Sequence, residues 1–381
     1  MCIKVRNSLL GLQELAAWQR RQFSAQVIGI TGSVGKTSTK ELAHSVLSQR
    51  YKTLKNKGNL NNEIGLPLTL LQLNNTFEKV VLEMGMYNVG EIKTLCQIAR
   101  PQIGVVTNIG PTHLERLGTM DNIVAAKQEL VEALPEDGVA ILNADDPLVA
   151  PMRHHTRARV FTYGLDSQAD LWADEIVSEG LTGVRFVFRY QGEAIHVKVP
   201  LLGRHSVHTA LRAAAIGLNQ GMYWDEIAAG LQDNNAGLRL VAVPGPRGSI
   251  ILDDTYNASP ASGIAALNLL DELNARRKIA VLGYMAELGS YEDEGHRKVG
   301  CRAADVVDML IALDIRAKGI AEEAAACGLN AEAIHLVDSV QQALDILQNT
   351  AQNGDTILVK GSRSMEMEKI VAGLSVSAES N

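Results

Sequence analysis

The sequence predicts an α/β protein with two domains, each built on a mainly parallel sheet. One observation is the apolar run 27–30, which leads into a glycine-containing loop and then into a helical segment. Another is the alternation of apolar runs with helical segments from residue 250 onward, which is typical of a doubly wound, Rossmann-like sheet with helices on both faces. The length of 381 residues leaves room for two or three separate cores.

Composition indicates a globular protein and argues against two classes of partner. Hydrophobic residues make up 46% and charged residues 21% of the chain, which excludes bulk disorder. The formal net charge of −7 argues against nucleic acid, because a basic face is needed to neutralise phosphates. No apolar run approaches the roughly 20 residues that span a bilayer, so no membrane partner is expected. The cysteines Cys2, Cys96, Cys301 and Cys327 lack paired spacing, which favours reduced thiols and a cytoplasmic location.

We predict three segments along the chain. Residues 1–25 form an N-terminal helix and linker, residues 26–240 a central domain, and residues 241–381 a C-terminal domain. The boundary between the last two is indicated by the cluster Pro244-Gly245-Pro246, since proline and glycine punctuate secondary structure.

The N-terminal helix is predicted over residues 8–24. Leu12, Leu15 and Trp18 fall on one stripe of this helix, and we expect that stripe to face the core. The segment is too short to form a domain of its own.

The loop at 31–38 carries the strongest functional signal. Its backbone N–H groups and the following helix N-terminus would face an anion. In such a loop Lys36 reaches the β- and γ-phosphates of a nucleotide, and the Thr37 hydroxyl ligates Mg²⁺. Ile30 stands where the first glycine of the full Walker spacing belongs. The alternative is a plain strand-to-helix turn in which the two loop glycines relieve steric conflict.

Polar residues follow two further apolar runs, 80–82 and 103–107. Glu83 ends the first run, and His113 lies about a turn beyond the second. Ligands gather at the carboxyl ends of the strands of an open parallel sheet, so we expect Glu83 near the same Mg²⁺ as Thr37. The alternatives are a helix or turn contact for Glu83 and a structural role for His113.

A polar loop at 57–63 and an alternating segment at 184–199 complete the central domain. The first contains Asn61 and Asn62, and such amide-rich loops are either turns or binding loops. In the second, apolar and polar residues alternate on both sides of Gln191-Gly192, which predicts an antiparallel hairpin.

Lys127 lies within the apolar stripe of a predicted helix that follows Asp121. A lysine in this position must extend its amine to solvent, pair with an acid, or lose its charge. A desolvated neutral amine can also take up CO₂ and become a carbamate, which behaves as a carboxylate ligand. The residues alone favour the solvent-directed lysine. The apolar members of the stripe are Ile123, Ala126, Leu130, Val131 and Leu134.

Several sequence blocks, in the same order, resemble the Mur ligase family. Those that resemble its central domain are 31–37, 58–65, 82–85 and 107–115. Those that resemble the branch adding D-alanyl-D-alanine to UDP-N-acetylmuramoyl-tripeptide are 253–260, 285–289 and 359–363. The resemblance spans residues 9–374 and implies an ATP-dependent amide ligase of peptidoglycan precursor synthesis. The implied reaction transfers a phosphoryl group from ATP to a carboxylate, and an amine then attacks the acyl phosphate.

The resemblance also implies partners and site residues. The small-molecule partners would be ATP, Mg²⁺, the UDP-linked muramoyl peptide and D-alanyl-D-alanine. The implied ATP-binding residues are Gly32, Ser33, Val34, Gly35, Lys36, Thr37, Ser38, Arg239 and Asp254. The implied metal ligands are Thr37, Glu83, His113 and Lys127, the last as a carbamate, and the implied catalytic residues are Lys36, Lys127 and His113. The implied contacts to the peptide substrate are Asn61, Asn62 and Asn257.

The chain also departs from the family pattern. The family's first domain, which holds the uridine nucleotide, has no counterpart ahead of the phosphate loop. Three explanations stay open: the domain is lost, a separately encoded domain supplies it, or a late start codon omits it. Thr209 stands where the family usually has asparagine, and Tyr284 replaces an acidic residue. Two other functions stay open: a ligase of this kind for another acid and amine, and a non-catalytic ATP-binding subunit.

Overall fold

The computed structural model describes residues 4–233 and 240–375, and its strands form two separate sheets. The strands of the first sheet are β1 (Gln26–Thr31), β2 (Thr53–Lys55), β3 (Lys79–Glu83), β4 (Ile103–Val106), β5 (Val139–Asn143), β6 (Arg159–Gly164), β7 (Leu171–Ser178), β8 (Val184–Tyr190) and β9 (Glu193–Val199). The helices of this half are α1 (Ser8–Arg21), α2 (Lys36–Ser48), α3 (Gly65–Leu70), α4 (Glu91–Ala99), α5 (Leu114–Leu117), α6 (Met120–Glu132), α7 (Val207–Asn219) and α8 (Trp224–Leu231).

The nine-stranded sheet has the order β2-β3-β1-β4-β5-β6-β7-β8-β9. Its strands from β2 to β7 are parallel to their neighbours, whereas β8 and β9 continue it in antiparallel fashion. Since β3, β1 and β4 are adjacent and parallel, their carboxyl ends meet at one edge. The phosphate loop, Glu83 and the turn after β4 therefore converge there.

Helices cover both faces of this sheet. Val27 and Ile28 are successive residues of β1, so their side chains point to opposite faces. Ile28 packs in one core with Leu42 of α2, whereas Val27 packs in another with Leu130 of α6. The predicted α/β class with a phosphate-loop domain is confirmed.

The predicted hairpin is confirmed as β8 and β9. Tyr190 pairs with Glu193, which leaves the two-residue turn Gln191-Gly192. Both turn residues have positive φ, 48° and 85°, as the common two-residue hairpin turn requires.

The second sheet has the order β10-β11-β15-β12-β13-β14, and only β10 is antiparallel to its neighbour. Its strands are β10 (Val241–Pro244), β11 (Ile250–Asp254), β12 (Arg277–Gly283), β13 (Met309–Leu313), β14 (Ile334–Val337) and β15 (Asp355–Lys360). The helices of this half are α9 (Pro260–Glu272), α10 (Glu292–Val306), α11 (Lys318–Ala326), α12 (Val340–Thr350) and α13 (Glu368–Leu374). Ile251 and Leu252 of β11 lie in different cores on its two faces, which confirms the doubly wound prediction.

The predicted stripe of α1 is wrong. Leu15 and Trp18 are 49% and 52% exposed, whereas Ala16 and Arg20 are buried. The Arg20 guanidinium donates hydrogen bonds to the carbonyls of Ala99, at 2.9 Å, and Phe23, at 2.8 Å. A long polar side chain with two carbonyl acceptors therefore takes the core side of this helix.

The expectation of four reduced cysteines is also wrong. Cys301 in α10 and Cys327, directly after α11, form a disulfide with their Cα atoms 5.4 Å apart. Cys96 is a buried free thiol, and burial raises its pKa to about 12. Within residues 4–233 and 240–375, no helix combines the length and apolar character needed to cross a membrane. The boundaries at 25/26 and 240/241 stay a prediction.

Candidate active site

The phosphate loop has a backbone that only glycine accommodates at two positions. Gly32 has φ of 141°, and a Cβ there would lie 1.9 Å from Thr107 Oγ1. Gly35 has φ of 84° and directly precedes α2. The loop therefore brings its backbone close to β4 and turns sharply into the helix that begins at Lys36.

Residues that follow β4 form hydrogen bonds with the phosphate loop. Asn108 Oδ1 accepts a hydrogen bond from Val34 N at 2.9 Å, and Thr107 Oγ1 donates to Val34 O at 2.7 Å. Ser33 Oγ donates to Gly110 O at 3.0 Å and accepts from Gly110 N at 2.8 Å. We assigned no role to Asn108 from the sequence. Its position at the carboxyl end of a strand beside the loop was the available signal.

The Lys36 amine folds back over the loop. Its Nζ donates to Gly32 O at 2.7 Å and Ser33 O at 3.1 Å. The lysine is half-buried. A cation is therefore positioned at the loop, where a bound phosphate would need a counter-charge.

Thr37 and Glu83 meet as the sequence predicts. Thr37 Oγ1 donates to Glu83 Oε2 at 2.7 Å, and Asn61 Nδ2 donates to Glu83 Oε1 at 2.8 Å. Glu83 is only 1% exposed, and the fully buried Lys40 amine lies 3.6 Å from its Oε2. Hydroxyl and carboxylate oxygens are the ligands that Mg²⁺ prefers, so this pair fits the implied metal. The sequence does not single out Lys40 as a site residue, because a lysine one turn after Lys36 is equally compatible with an exposed position on the helix.

Lys127 is buried beside the same loop. It is 2% exposed, and its Nζ donates to Gly32 O at 3.1 Å. Burial lowers the pKa of this amine well below the usual lysine value, and the charge of Lys36 lowers it further. The solvent-directed interpretation of Lys127 is therefore wrong, and the side chain is a candidate neutral amine.

His113 is held by the second half of the chain. Its Nδ1 lies 2.5 Å from Glu287 Oε2, and its ring meets the Tyr87 ring edge-on with centroids 5.2 Å apart. The close approach of the His113 ring lowers the pKa of Glu287. The structure thus brings His113 to Glu287 rather than into contact with the Thr37–Glu83 pair. Glu287 was not singled out from the sequence, although it lies in one of the family-like blocks.

Four other predicted site residues lie away from the Thr37–Glu83 pair or outside the described residues. Asn62 Oδ1 accepts from Gly65 N at 2.9 Å, so its amide caps a local turn. Asp254 and Asn257 both contact Lys360, whose amine donates to Asp254 Oδ2 at 2.6 Å and to Asn257 O at 2.9 Å. Arg239 lies outside the described residues.

A cleft of about 470 Å³ lies beside the turn that follows β3. Gly85, two residues after Glu83, lies on its wall, and the Asn61 side chain packs against that glycine. Glu63 and Glu91 also line it. In the part of the chain that the structure describes, no three histidine, cysteine or acidic side chains gather to hold a metal. The Thr37 hydroxyl and the Glu83 carboxylate are adjacent oxygen donors that a metal could use here.

Two domains of one protein family match this chain. Residues 30–217 match the Mur ligase middle domain, and residues 238–363 match the Mur ligase glutamate ligase domain.

Curated proteins resemble the chain over nearly its whole length. The UDP-N-acetylmuramoyl-tripeptide–D-alanyl-D-alanine ligase of Bacillus subtilis is 37% identical, over 98% of this chain and 80% of that protein. The ligase of the same name from Escherichia coli is 35% identical, over 97% of this chain and 81% of that protein.

Solved structures of the same ligase share the fold. MurF from Acinetobacter baumannii superposes with a TM-score of 0.88 at 31% identity, covering 97% of this chain and 81% of that one. MurF from Thermotoga maritima, solved in complex with ADP, superposes with a TM-score of 0.84 at 28% identity, covering 97% and 84% respectively.

Proposed function

Since the chain belongs to the Mur ligase family, we propose that it is an ATP-dependent ligase joining D-alanyl-D-alanine to UDP-N-acetylmuramoyl-tripeptide in peptidoglycan precursor synthesis. The observation that carries this proposal is the convergence of Lys36, Lys127 and the Thr37–Glu83 pair around one phosphate loop. A binding subunit without catalysis has no need of a second, buried amine at the phosphate loop.

The reaction proceeds in two transfers. The carboxylate of the tripeptide attacks the γ-phosphorus of ATP, so a P–O bond forms, the bond to ADP breaks, and an acyl phosphate results. The amine of D-alanyl-D-alanine then attacks the acyl carbon, loses a proton and expels phosphate. For chemistry of this kind the protein must mainly position reactants and neutralise developing charge. Lys36 and the loop N–H groups are placed to do this for the phosphates.

Mg²⁺ is the proposed metal, with Thr37 and Glu83 as its side-chain ligands. Their direct hydrogen bond at 2.7 Å brings two oxygen donors together at the end of β3. His113 and a carbamate on Lys127 are proposed as the other ligands. When bound, Mg²⁺ supplies positive charge against the phosphate oxygens. The Lys40 amine lies 3.6 Å from the Glu83 carboxylate beside this position.

We propose that Lys127 works as a carbamate. An amine must be neutral to attack CO₂, and burial together with the charge of Lys36 favours the neutral form. The new C–N bond forms as the amine loses a proton, and the product carries one negative charge shared by two oxygens. Carboxylation thereby converts a buried amine into an anionic ligand.

The peptide substrate is proposed to lie along the cleft beside Gly85. Asn61 packs against Gly85 and donates a hydrogen bond to Glu83, and Asn62 caps the adjacent turn. Asn257 is exposed at the start of the second half. For the nucleotide, Asp254 and Arg239 are the proposed contacts at the hinge. We propose a cytoplasmic location because the reaction consumes ATP.

Phosphate release tests the proposal when candidate acids and amines are crossed and products are identified by mass. We expect ADP, phosphate and an amide product only when ATP, UDP-N-acetylmuramoyl-tripeptide and D-alanyl-D-alanine are all present. Release with a different pair would reassign the substrates within the family. Absence of release with every pair would contradict ligase activity itself.

A further inference from the structure

Arg212 is a buried arginine against the phosphate loop. It lies in α7 and is 4% exposed. Its Nη2 is 3.0 Å from the position that a Cβ on Gly35 would occupy. The guanidinium therefore lies beside the loop residue that immediately precedes Lys36.

The side-chain partners of this guanidinium are all neutral. Nε donates to Thr39 Oγ1 at 2.7 Å, and Nη2 donates to Thr209 Oγ1 at 2.8 Å. The Tyr163 ring centroid lies 5.9 Å from the guanidinium carbon. Within residues 4–233 and 240–375, Arg212 forms no ion pair with a carboxylate, in contrast to Arg189 and Arg277. A buried cation without a counter-ion is costly, so its charge calls for an anion from outside the chain.

Arg212 is also linked to the backbone of the loop. Thr39 Oγ1, which accepts from Arg212, donates in turn to Gly35 O at 2.7 Å. This relay joins the guanidinium to the left-handed turn at Gly35. Movement of the turn would break hydrogen bonds of a buried cation, and such bonds are stronger than neutral ones.

We propose that Arg212 is a positioning residue for the nucleotide, supplying positive charge behind the phosphate loop and fixing Gly35 through Thr39. The proposal rests on the proposed function, in which this loop holds the phosphates of ATP. Because the surroundings exclude water, the attraction between the guanidinium and a phosphate is screened far less than at the surface. The phosphates thus provide the counter-charge that Arg212 lacks in the protein.

Equilibrium binding of ATP, without acid or amine substrates, tests this role. We compare wild type with Arg212→Gln, Arg212→Lys and the matched control Arg185→Gln, in which an exposed arginine of β8 loses its charge. We expect the Kd for ATP to rise at least about tenfold in Arg212→Gln and to stay within about threefold in Arg212→Lys. The control should bind as wild type does.

A Kd for ATP within about twofold of wild type in folded Arg212→Gln would overturn the proposal, whatever the melting temperature. If that variant does not fold, Thr39→Val decides, because it keeps the charge and removes the link to Gly35. Unchanged ATP affinity in Thr39→Val, together with weakened binding in Arg212→Lys, would also overturn it. Failure of wild type to bind ATP would instead contradict the proposed function, and this is seen before any variant is made.

Discussion

Lys36 and Lys127 donate to the same acceptor, the carbonyl oxygen of Gly32. Two ammonium groups so close would repel each other, and the more buried of the two gives up its charge more readily. Lys36 is half-buried and retains access to a phosphate, whereas Lys127 is almost fully enclosed. The two lysines are therefore suited to different tasks, one as a cation and the other as a neutral amine.

Lys36→Ala should abolish ATP-dependent phosphate release while leaving the fold intact. The lysine contacts two loop carbonyls and contributes no apolar core, so we expect the melting temperature to change by no more than a few degrees and turnover to fall at least about a hundredfold. Steady-state kinetics and a thermal scan measure the two effects. Lys57→Ala, at an exposed loop position, is the control. Unchanged turnover in a folded Lys36→Ala protein would remove this lysine from the mechanism.

Lys127→Ala should lose most activity and regain part of it with added short carboxylates. The vacated space beside Gly32 can admit an anion that replaces the carbamate oxygens. Lys127→Arg should not be rescued, because guanidinium keeps its charge and does not take up CO₂. Activity is measured with and without acetate, in normal and CO₂-depleted buffer. Full activity of the alanine variant in CO₂-depleted buffer would contradict the carbamate.

The core-facing position of Lys127 on its helix could be predicted from the sequence, but the burial of its amine and the surroundings of Arg212 could not. Lys127 interrupts a regular apolar stripe, and periodicity alone places it towards the core. Arg212 lies in an alanine-rich helix that is buried on nearly all sides, so periodicity does not indicate which neighbour it meets. Contacts such as His113 with Glu287 join residues 174 positions apart, and local pattern carries no information about them.

At the scale of elements, apolar runs identified most strands and missed the short or irregular ones. β2 has three residues, and β7 contains a register shift between Asp174 and Val177 that interrupts the alternation of a strand. β10 overlaps the Pro/Gly cluster that we interpreted only as a boundary. Proline at an antiparallel edge is compatible with a strand, because its missing N–H can face away from the sheet.

The disulfide between α10 and α11 gives a prediction at the same scale. Denatured, unreduced protein should contain two titratable thiols, Cys2 and Cys96, out of the four cysteines. Reduction should lower the melting temperature, because a cross-link over 26 residues contributes roughly 3 kcal/mol by limiting the unfolded chain. Cys301→Ser should behave as the reduced protein does, and Cys96→Ala serves as the comparison. Four thiols without reductant would show that the two helices pack without this bond.

At the scale of the whole molecule, the segment around Glu287 in the second half of the chain contacts the first half. Its side chain contacts His113, and its carbonyl accepts a hydrogen bond from Glu115 N at 3.2 Å. His113 raises the stability of the ionised Glu287, so this contribution is present above the ordinary glutamate pKa and is lost as pH falls through the lowered value. Since the Glu287 side chain is 39% exposed, the pair contributes at most about 1 kcal/mol.

Glu287→Ala should loosen the contact between the two halves without unfolding either. A loss of up to about 1 kcal/mol shifts an equilibrium between closed and open arrangements roughly fivefold. Small-angle scattering without nucleotide should then give a larger radius of gyration than wild type. Glu294→Ala is the matched control, because it removes an exposed acid that pairs with Lys298 within α10. Superimposable scattering curves for wild type and Glu287→Ala would show that other contacts hold the halves together.

The position of β15 also bears on how the protein is made. This strand is the last one among the described residues, yet it lies between β11 and β12 and pairs with both. During synthesis at about 5–20 residues per second, β11 therefore waits roughly 5–20 seconds for its parallel neighbour. The delay is shorter in the nine-stranded sheet, because β3, the first parallel neighbour of β1 to be made, ends at Glu83. A chain that ends before residue 355 would have a complete first sheet. Its second sheet would lack β15, and the unpaired edges of β11 and β12 would favour aggregation.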